Sequence, residues 1–266
     1  MKIGVFGSDG KSSIIKILNH LLYDEEIELI ELNNEIDEYF DYLIFTNYTY
    51  QYKLDVFYFI NNLKGTLIYN NDDYYSKLFN VNSSISYGLE NADIKAINII
   101  KKPTKTTFDL VINNKIYNDF SVNLIGTFNI YNILACIPIC LIYKDIETIK
   151  KRLRIMPKIE GLCDVSYKKN ILYIKDFSHT PNSVFEVISN ALLLTKNNLI
   201  VIADIKCNNT NIINSIISCF SDFVIFTNDK NKYIKKENYI IMPSNKAIDL
   251  AFKIANYNDT ILHFKY

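Results

Sequence analysis

The chain has 266 residues, 49% of them hydrophobic, and its 29 Lys and Arg are balanced by 29 Asp and Glu. That length suits one large domain or two moderate ones with a real core. With zero net charge and no basic run, nothing argues for a polyanion partner, so no nucleic-acid partner is expected. Only Arg152 and Arg154 are arginines, although arginine is the usual clamp for carboxylate and phosphate. The five cysteines lack CxxC spacing, and Cys136 and Cys140 lie one helical turn apart. They fit buried thiols in a reducing cytosol. The N-terminus has no signal-peptide pattern. Ile133 to Tyr143 is too short an apolar run to span a bilayer and contains Pro138. A cytoplasmic protein with no membrane partner is expected.

In chain order, Lys2 to Phe6 reads as a short apolar strand, followed by a glycine-containing loop. A helix from about Ser12 to Leu22 comes next, with Ile14, Ile15, Ile17, Leu18, Leu21 and Leu22 at helical spacing. Ile27 to Leu32, Tyr42 to Thr46 and Thr66 to Tyr69 read as strands, and Val56 to Leu63 as a helix. Between Ser84 and Phe120, short β-like pieces (Ala96 to Ile100, Phe108 to Ile112) and a turn at Asn113-Asn114 suggest a small antiparallel excursion from the main sheet. Helices are expected over Leu134 to Tyr143 and Ile146 to Leu153. Pro157 marks a domain boundary, giving domains 1–156 and 157–266. Beyond it, strands Ile171 to Lys175, Leu199 to Ala203 and Phe223 to Thr227 alternate with helices Ser183 to Leu194, Ile212 to Cys219 and Lys246 to Ala255. That rhythm indicates a second parallel sheet. The fold class expected is therefore α/β, a parallel-sheet domain followed by a smaller Rossmann-like α/β domain.

Gly7-Ser8-Asp9-Gly10-Lys11-Ser12-Ser13 lies between the first strand and the first helix. Glycines let backbone N–H groups turn toward phosphate oxygens, and the helix N-terminus adds its positive dipole end. Lys11 supplies charge to the outer phosphates and the Ser12 hydroxyl suits Mg²⁺. The strand and helix on either side favour a P-loop that binds a nucleoside triphosphate, most simply ATP. An ordinary turn with a serine N-cap is the alternative.

A series of motifs in the same order resembles the Mur ligase family, in particular its tripeptide synthetases. The P-loop run is joined by Glu31-Leu32-Asn33-Asn34-Glu35, Phe40-Asp41 leading to Phe45-Thr46-Asn47, and Asn70-Asn71-Asp72-Asp73. Tyr87-Gly88 with Ala92-Asp93, Leu124 to Asn132, and Asp176-Phe177-Ser178-His179-Thr180-Pro181 complete the series over nearly the whole chain. The resemblance implies a P-loop-type ATPase domain in which Glu31 joins Ser12 on Mg²⁺ and Asn129 and Asn132 read the adenine side. It also implies that Asp176 and His179 of the second domain reach the nucleotide, with Lys11, Asp176 and His179 as catalytic residues. ATP and Mg²⁺ are then the cofactors. The family reaction phosphorylates a carboxylate and lets an amino-acid amine displace the phosphate, on a small-molecule substrate such as a UDP-muramyl peptide. On spacing alone, Asn129 and Asn132 equally fit helix caps, and Asp176 and His179 a hydrogen-bonded loop pair.

The sequence also departs from the family pattern. A UDP-binding domain ahead of the P-loop is not matched, which raises the expectation of a partner protein supplying it. Glu35 stands where the family has a histidine, Gln51-Tyr52 where it has the Asp-His that supplies a second-metal ligand, and Lys64 is out of register with its modified lysine. Gly161-Leu162 replaces Gly-Arg, and Asn228 to Lys232 replaces the amino-acid-binding Asp-Asn-Pro-Arg. Two readings follow: an ATP-dependent acid–amino-acid ligase, or an ATP-binding module with little or no catalysis that regulates a partner.

Overall fold

A computed structural model of the chain describes residues 1–32, 39–47, 55–204, 210–227, 234–235 and 237–265. Its contacts divide it into two compact units, Met1–Pro157 and Lys158–Tyr266, except that Lys102–Thr104 and Leu124–Gly126 group with the second.

The first unit begins with β1 (Lys2–Phe6), α1 (Lys11–Leu21), β2 (Glu28–Glu31), β3 (Tyr42–Phe45), α2 (Asp55–Asn61) and β4 (Thr66–Asn70). A 3-10 turn over Tyr74–Leu78 leads to β5 (Ser84–Gly88), β6 (Ile94–Lys102), β7 (Lys105–Ile112) and β8 (Lys115–Val122), then to α3 (Thr127–Tyr143) and α4 (Ile146–Arg154). The eight strands form one sheet in the order β2-β1-β3-β4-β5-β6-β7-β8. Neighbours from β2 to β6 run parallel, while β7 and β8 are antiparallel. Ile3, Val5, Phe6, Leu43, Ile44, Phe45, Leu67 and Ile68 are all fully buried. Such continuous apolar runs are what a parallel sheet covered on both faces requires.

Two expectations are corrected here. The stretch after Ser84 extends the main sheet: β5 and β6 join it in parallel, and the antiparallel pairing expected there begins beyond β6, with β7 and β8. Ser-Ile-Ser-Tyr-Gly lacks the unbroken apolar run that identifies the earlier strands, so its sequence hides its central place. Helix α3 starts at Thr127, seven residues earlier than the expected Leu134. Its first turns, Thr-Phe-Asn-Ile-Tyr-Asn, have modest helix propensity, but burial of Asn129, Ile130 and Asn132 to Cys140 overrides it.

One of the two arginines is used to fasten α1 to α4. The Arg152 guanidinium grips Asp24 with both terminal nitrogens, at 2.6 and 2.8 Å, and Nη1 also reaches the Leu21 carbonyl at 2.6 Å. Lys144 joins through Asp24 at 2.8 Å and through Glu25. The helix end thus receives the positive charge its dipole favours.

The second unit contains β9 (Asp164–Lys168), β10 (Ile171–Asp176), α5 (Pro181–Leu194), β11 (Leu199–Asp204), α6 (Thr210–Phe220) and β12 (Phe223–Thr227). It continues with β13 (Ile234–Lys235), β14 (Tyr239–Met242), α7 (Ser244–Ile254) and β15 (Thr260–Phe264). The sheet order is β13-β14-β12-β11-β15-β10-β9, with a parallel centre and an antiparallel strand at each edge. The mixed α/β class expected from the sequence is the one observed. Among the described residues, no helix is long and apolar enough to cross a membrane.

Two acid-sensitive contacts follow. Arg152, then Lys144, holds the Asp24 carboxyl well below the usual carboxylate range. A depressed folded pKa means that Asp24 stabilises the fold fully above the unfolded value, about 3.9, and loses that effect as pH falls below it. Thermal melts should therefore show Asp24→Asn less stable than the parent at pH 7, with the gap closing only below about pH 4. In the second unit, burial, and then the charges of Lys175 and Lys265, push His263 down to about 4 while its Nδ1 meets the Tyr173 hydroxyl at 2.7 Å. Its contribution should be complete above an unfolded pKa of about 6.5 and decline as pH drops toward 4. His263→Gln should flatten the melting-temperature profile across that window.

Candidate functional site

The strand order β2-β1-β3-β4-β5 reverses direction at β1, and α/β sheets of this order bind ligands beyond the strand C-termini at the β1/β3 switch point. The loop Gly7–Ser13 leaves β1 at that point. Gly7 has φ +134° and Gly10 φ +86°, conformations that L side chains rarely adopt. A Cβ on Gly7 would lie 2.0 Å from Thr46 Oγ1, and one on Gly10 would lie 2.4 Å from Asn132 Oδ1. The loop therefore passes between the end of β3 and the second turn of α3, at a closeness only glycine permits.

Gly10 is the N-cap of α1 and offers no side-chain cap. The opening N–H groups of the helix thus lack the side-chain acceptor that Ser, Thr or Asp would give, which suits an incoming anion. The Lys11 ammonium folds over the loop onto the Gly7 carbonyl at 2.8 Å. Ser12 is exposed and Ser13 is buried beneath it. Ser8 and Asp9 fill the loop between the glycines. The amides of both meet the Asn47 side-chain oxygen, at 3.2 and 3.0 Å.

Other expected residues gather at the same edge. Val5 is paired with Glu31, so Glu31 stands exposed at the C-terminal end of β2, one strand from the loop. Mg²⁺ is commonly held by one or two carboxylates with a hydroxyl, phosphates and water rather than by a full protein cage. Ser12 and Glu31 fit such a site, and among the described residues no three His, Cys, Asp or Glu converge on a separate metal position. Asn129 and Asn132 are buried inside α3, which overturns the capping alternative for both. Asn132 lies against Gly10.

The Asn70–Asp73 run is accounted for locally. Asp72 Oδ2 accepts from Tyr131 Oη at 2.8 Å and from the Leu89 amide at 2.6 Å. Asp73 caps the 3-10 turn through the Tyr75 amide. Lys64 is exposed just before β4, at the edge of the sheet opposite the loop.

Asp176 and His179 belong to the second unit. Asp176 is 1% exposed at the end of β10. Its Oδ1 accepts from the Ser178 amide at 2.7 Å and its Oδ2 from the Cys163 amide at 2.8 Å. Burial raises the carboxyl above its ordinary range, and those bonds to Ser178 and Cys163 pull it back in part. His179 is exposed, with Nδ1 3.2 Å from the Phe177 carbonyl, so the expected alternative of an Asp176–His179 pair is not the bonding observed. Gly161 has φ +79°, and a Cβ there would lie 2.1 Å from the nearest Phe177 ring carbon. The motif positions Glu35, Gln51, Tyr52 and Asn228–Lys232 fall outside the described residues.

Sequence reasoning left Thr46 and Asn47 out of the site. Their signal was a Thr-Asn pair directly after an apolar strand neighbouring the P-loop strand, but only the sheet order makes them neighbours.

A family profile for the Mur ligase middle domain matches residues 41–140, within the first unit. The UDP-N-acetylmuramoyl-L-alanyl-D-glutamate–2,6-diaminopimelate ligase of Clostridium botulinum is 29% identical over 94% of this chain and 57% of its own length. The chain thus spans little more than half of that curated relative. In fold it is similar to the MurF ligase of Thermotoga maritima solved with ADP, with TM-score 0.76 and 16% identity over 99% of this chain and 76% of that one. A pseudomurein peptide ligase type C from Methanothermus fervidus gives TM-score 0.76 and 20% identity, covering 100% of this chain and 76% of that one. Residues 41–140 thus match the Mur ligase middle domain, and the curated relatives and the shared architecture agree with the motif series read from the residues.

Proposed function

We propose that the loop Gly7–Ser13 binds the triphosphate of ATP, and that the chain works as an ATP-dependent acid–amino-acid ligase of the Mur type. The observation that carries this is the glycine-closed loop running into an uncapped helix, with Lys11 folded over it. In this reading the first-turn amides of α1 and Lys11 hold the phosphates. Asn132, beside Gly10, together with Asn129, faces the nucleoside side, and Ser12 and Glu31 hold Mg²⁺. The metal supplies neutralisation of the phosphate charge. Positioning and charge stabilisation are the main sources of rate in such transfers.

The proposed reaction has two steps. A substrate carboxylate oxygen attacks the terminal phosphorus, and ADP leaves as the acyl phosphate forms. An amino-acid amine then attacks the acyl carbon, phosphate leaves, and the amine proton passes to solvent as the amide forms. A UDP-muramyl peptide is the acid to test first, because the Clostridium relative is named for that substrate class.

Two observations favour a second reading, ATP binding without ligation. Both Asp176 oxygens are engaged by backbone N–H groups, and Lys64 lies at the edge of its sheet away from the loop. In either reading the protein binds Mg-ATP by calorimetry, and Lys11→Ala weakens binding by about tenfold or more, as loss of a charge-assisted bond does. Equal affinity in parent and Lys11→Ala would refute the site. The two readings separate when the protein is incubated with Mg-ATP, a UDP-muramyl dipeptide and pooled amino acids. The ligase reading expects ADP and phosphate release that depends on both acid and amine; binding without release leaves the second reading standing.

A further inference from the structure

We infer that Asn47 is a positioning residue that braces the phosphate loop from the end of β3; the inference rests on the proposed nucleotide site. The Asn47 side-chain oxygen accepts from the Ser8 amide at 3.2 Å, the Asp9 amide at 3.0 Å and Thr46 Oγ1 at 3.0 Å. Its main-chain oxygen accepts from the Ser8 amide as well, at 3.2 Å. Its side-chain nitrogen faces the Asp9 carboxylate at 3.5 Å. One residue thus holds the middle of the loop by both its backbone and its side chain.

The need for a brace follows from the glycines. Gly7 and Gly10 make the loop's path sterically allowed, but glycine also has the largest backbone freedom to lose. A loop hinged on two glycines holds one shape only if something outside it fixes the residues between. Asn47 is placed for this because β3 is the direct neighbour of β1, with Phe6 paired to Phe45. By fixing Ser8 and Asp9, it leaves the first-turn amides of α1 as the cradle for phosphate.

The chemistry of the amide also matters. An uncharged carbonyl accepts two N–H groups without adding negative charge beside a triphosphate. The amide nitrogen points its positive end at Asp9, the one acidic side chain of the loop. Aspartate at position 47 would keep the acceptor and lose this benefit, adding a charge next to Asp9 and the phosphates. Bracing and charge are therefore separable by substitution.

The test uses the full chain in two arms. Amide hydrogen exchange without nucleotide reads the brace. The parent and Asn47→Asp should protect Ser8 and Asp9, and Asn47→Ala should lose that protection while the interior amides of α1 keep theirs. Calorimetry with Mg-ATP reads the consequence. Asn47→Ala should bind about tenfold more weakly with no added salt dependence, and Asn47→Asp should bind more weakly at low salt and recover as salt screens its charge. Unchanged protection in Asn47→Ala, or lost protection with unchanged affinity, would overturn the inference. If Asn47→Ala does not fold, Asn47→Asp decides: loss of protection, or affinity indifferent to salt, overturns it. A parent that does not bind ATP refutes the proposed function, while the exchange arm alone still decides whether Asn47 braces the loop. Lys11→Ala is the control that should weaken ATP without altering exchange at Ser8 and Asp9.

Discussion

The backbone between β1 and α1 passes through a gap too narrow for side chains, with Thr46 on one side and Asn132 on the other. Much of the first unit is arranged around that passage. Helix α1 can start at Lys11 without a side-chain cap because Gly10 turns the chain with a positive φ. Helix α3 must begin early enough to bring Asn132 to the loop, and it does so through residues that favour a helix only weakly. The parallel sheet then carries the ends of β1, β2, β3 and β4 to one edge, so that Glu31, Thr46 and Asn47 share it with Lys11.

Charge is distributed with similar economy. Arg152, one of only two arginines, is committed to Asp24 and the end of α1, where it joins helices rather than meeting a ligand. The positive character of the loop comes instead from Lys11 and from amides at a helix N-terminus, which need no extra cations. A loop of this shape can thus form in an arginine-poor sequence, because it is built largely from backbone.

The run Asp176-Phe177-Ser178-His179-Thr180-Pro181 shows how one motif supports two accounts. Asp176 gathers the Ser178 and Cys163 amides, Phe177 rests on Gly161, Thr180 forms a capping box with Ser183, and Pro181 opens α5. Each residue but His179 has a local structural task that its chemistry suits. The role implied by family resemblance is an addition to those tasks and not their explanation.

The sequence by itself determined the elements whose signals are local. Apolar runs announced β1, β3, β4, β10, β11 and β12; helical spacing announced α1, α4 and α6; and two glycines with Lys11 and Ser12 announced the tight loop between β1 and α1. Strands β5, β8, β9, β14 and β15 were less legible, because short or partly polar strands are defined by the neighbours they pair with. Thr260–Phe264 illustrates this: its place between β10 and β11 is a property of the sheet order, not of its five residues. Tertiary structure alone decided that Asn129 and Asn132 are buried within a helix rather than capping it. It alone placed Asn47, 38 residues from Asp9 in sequence, on the amides of the loop. The physical reason is the same in each case. Backbone geometry and periodicity are written in adjacent residues, whereas contacts across a sheet depend on which strands lie side by side.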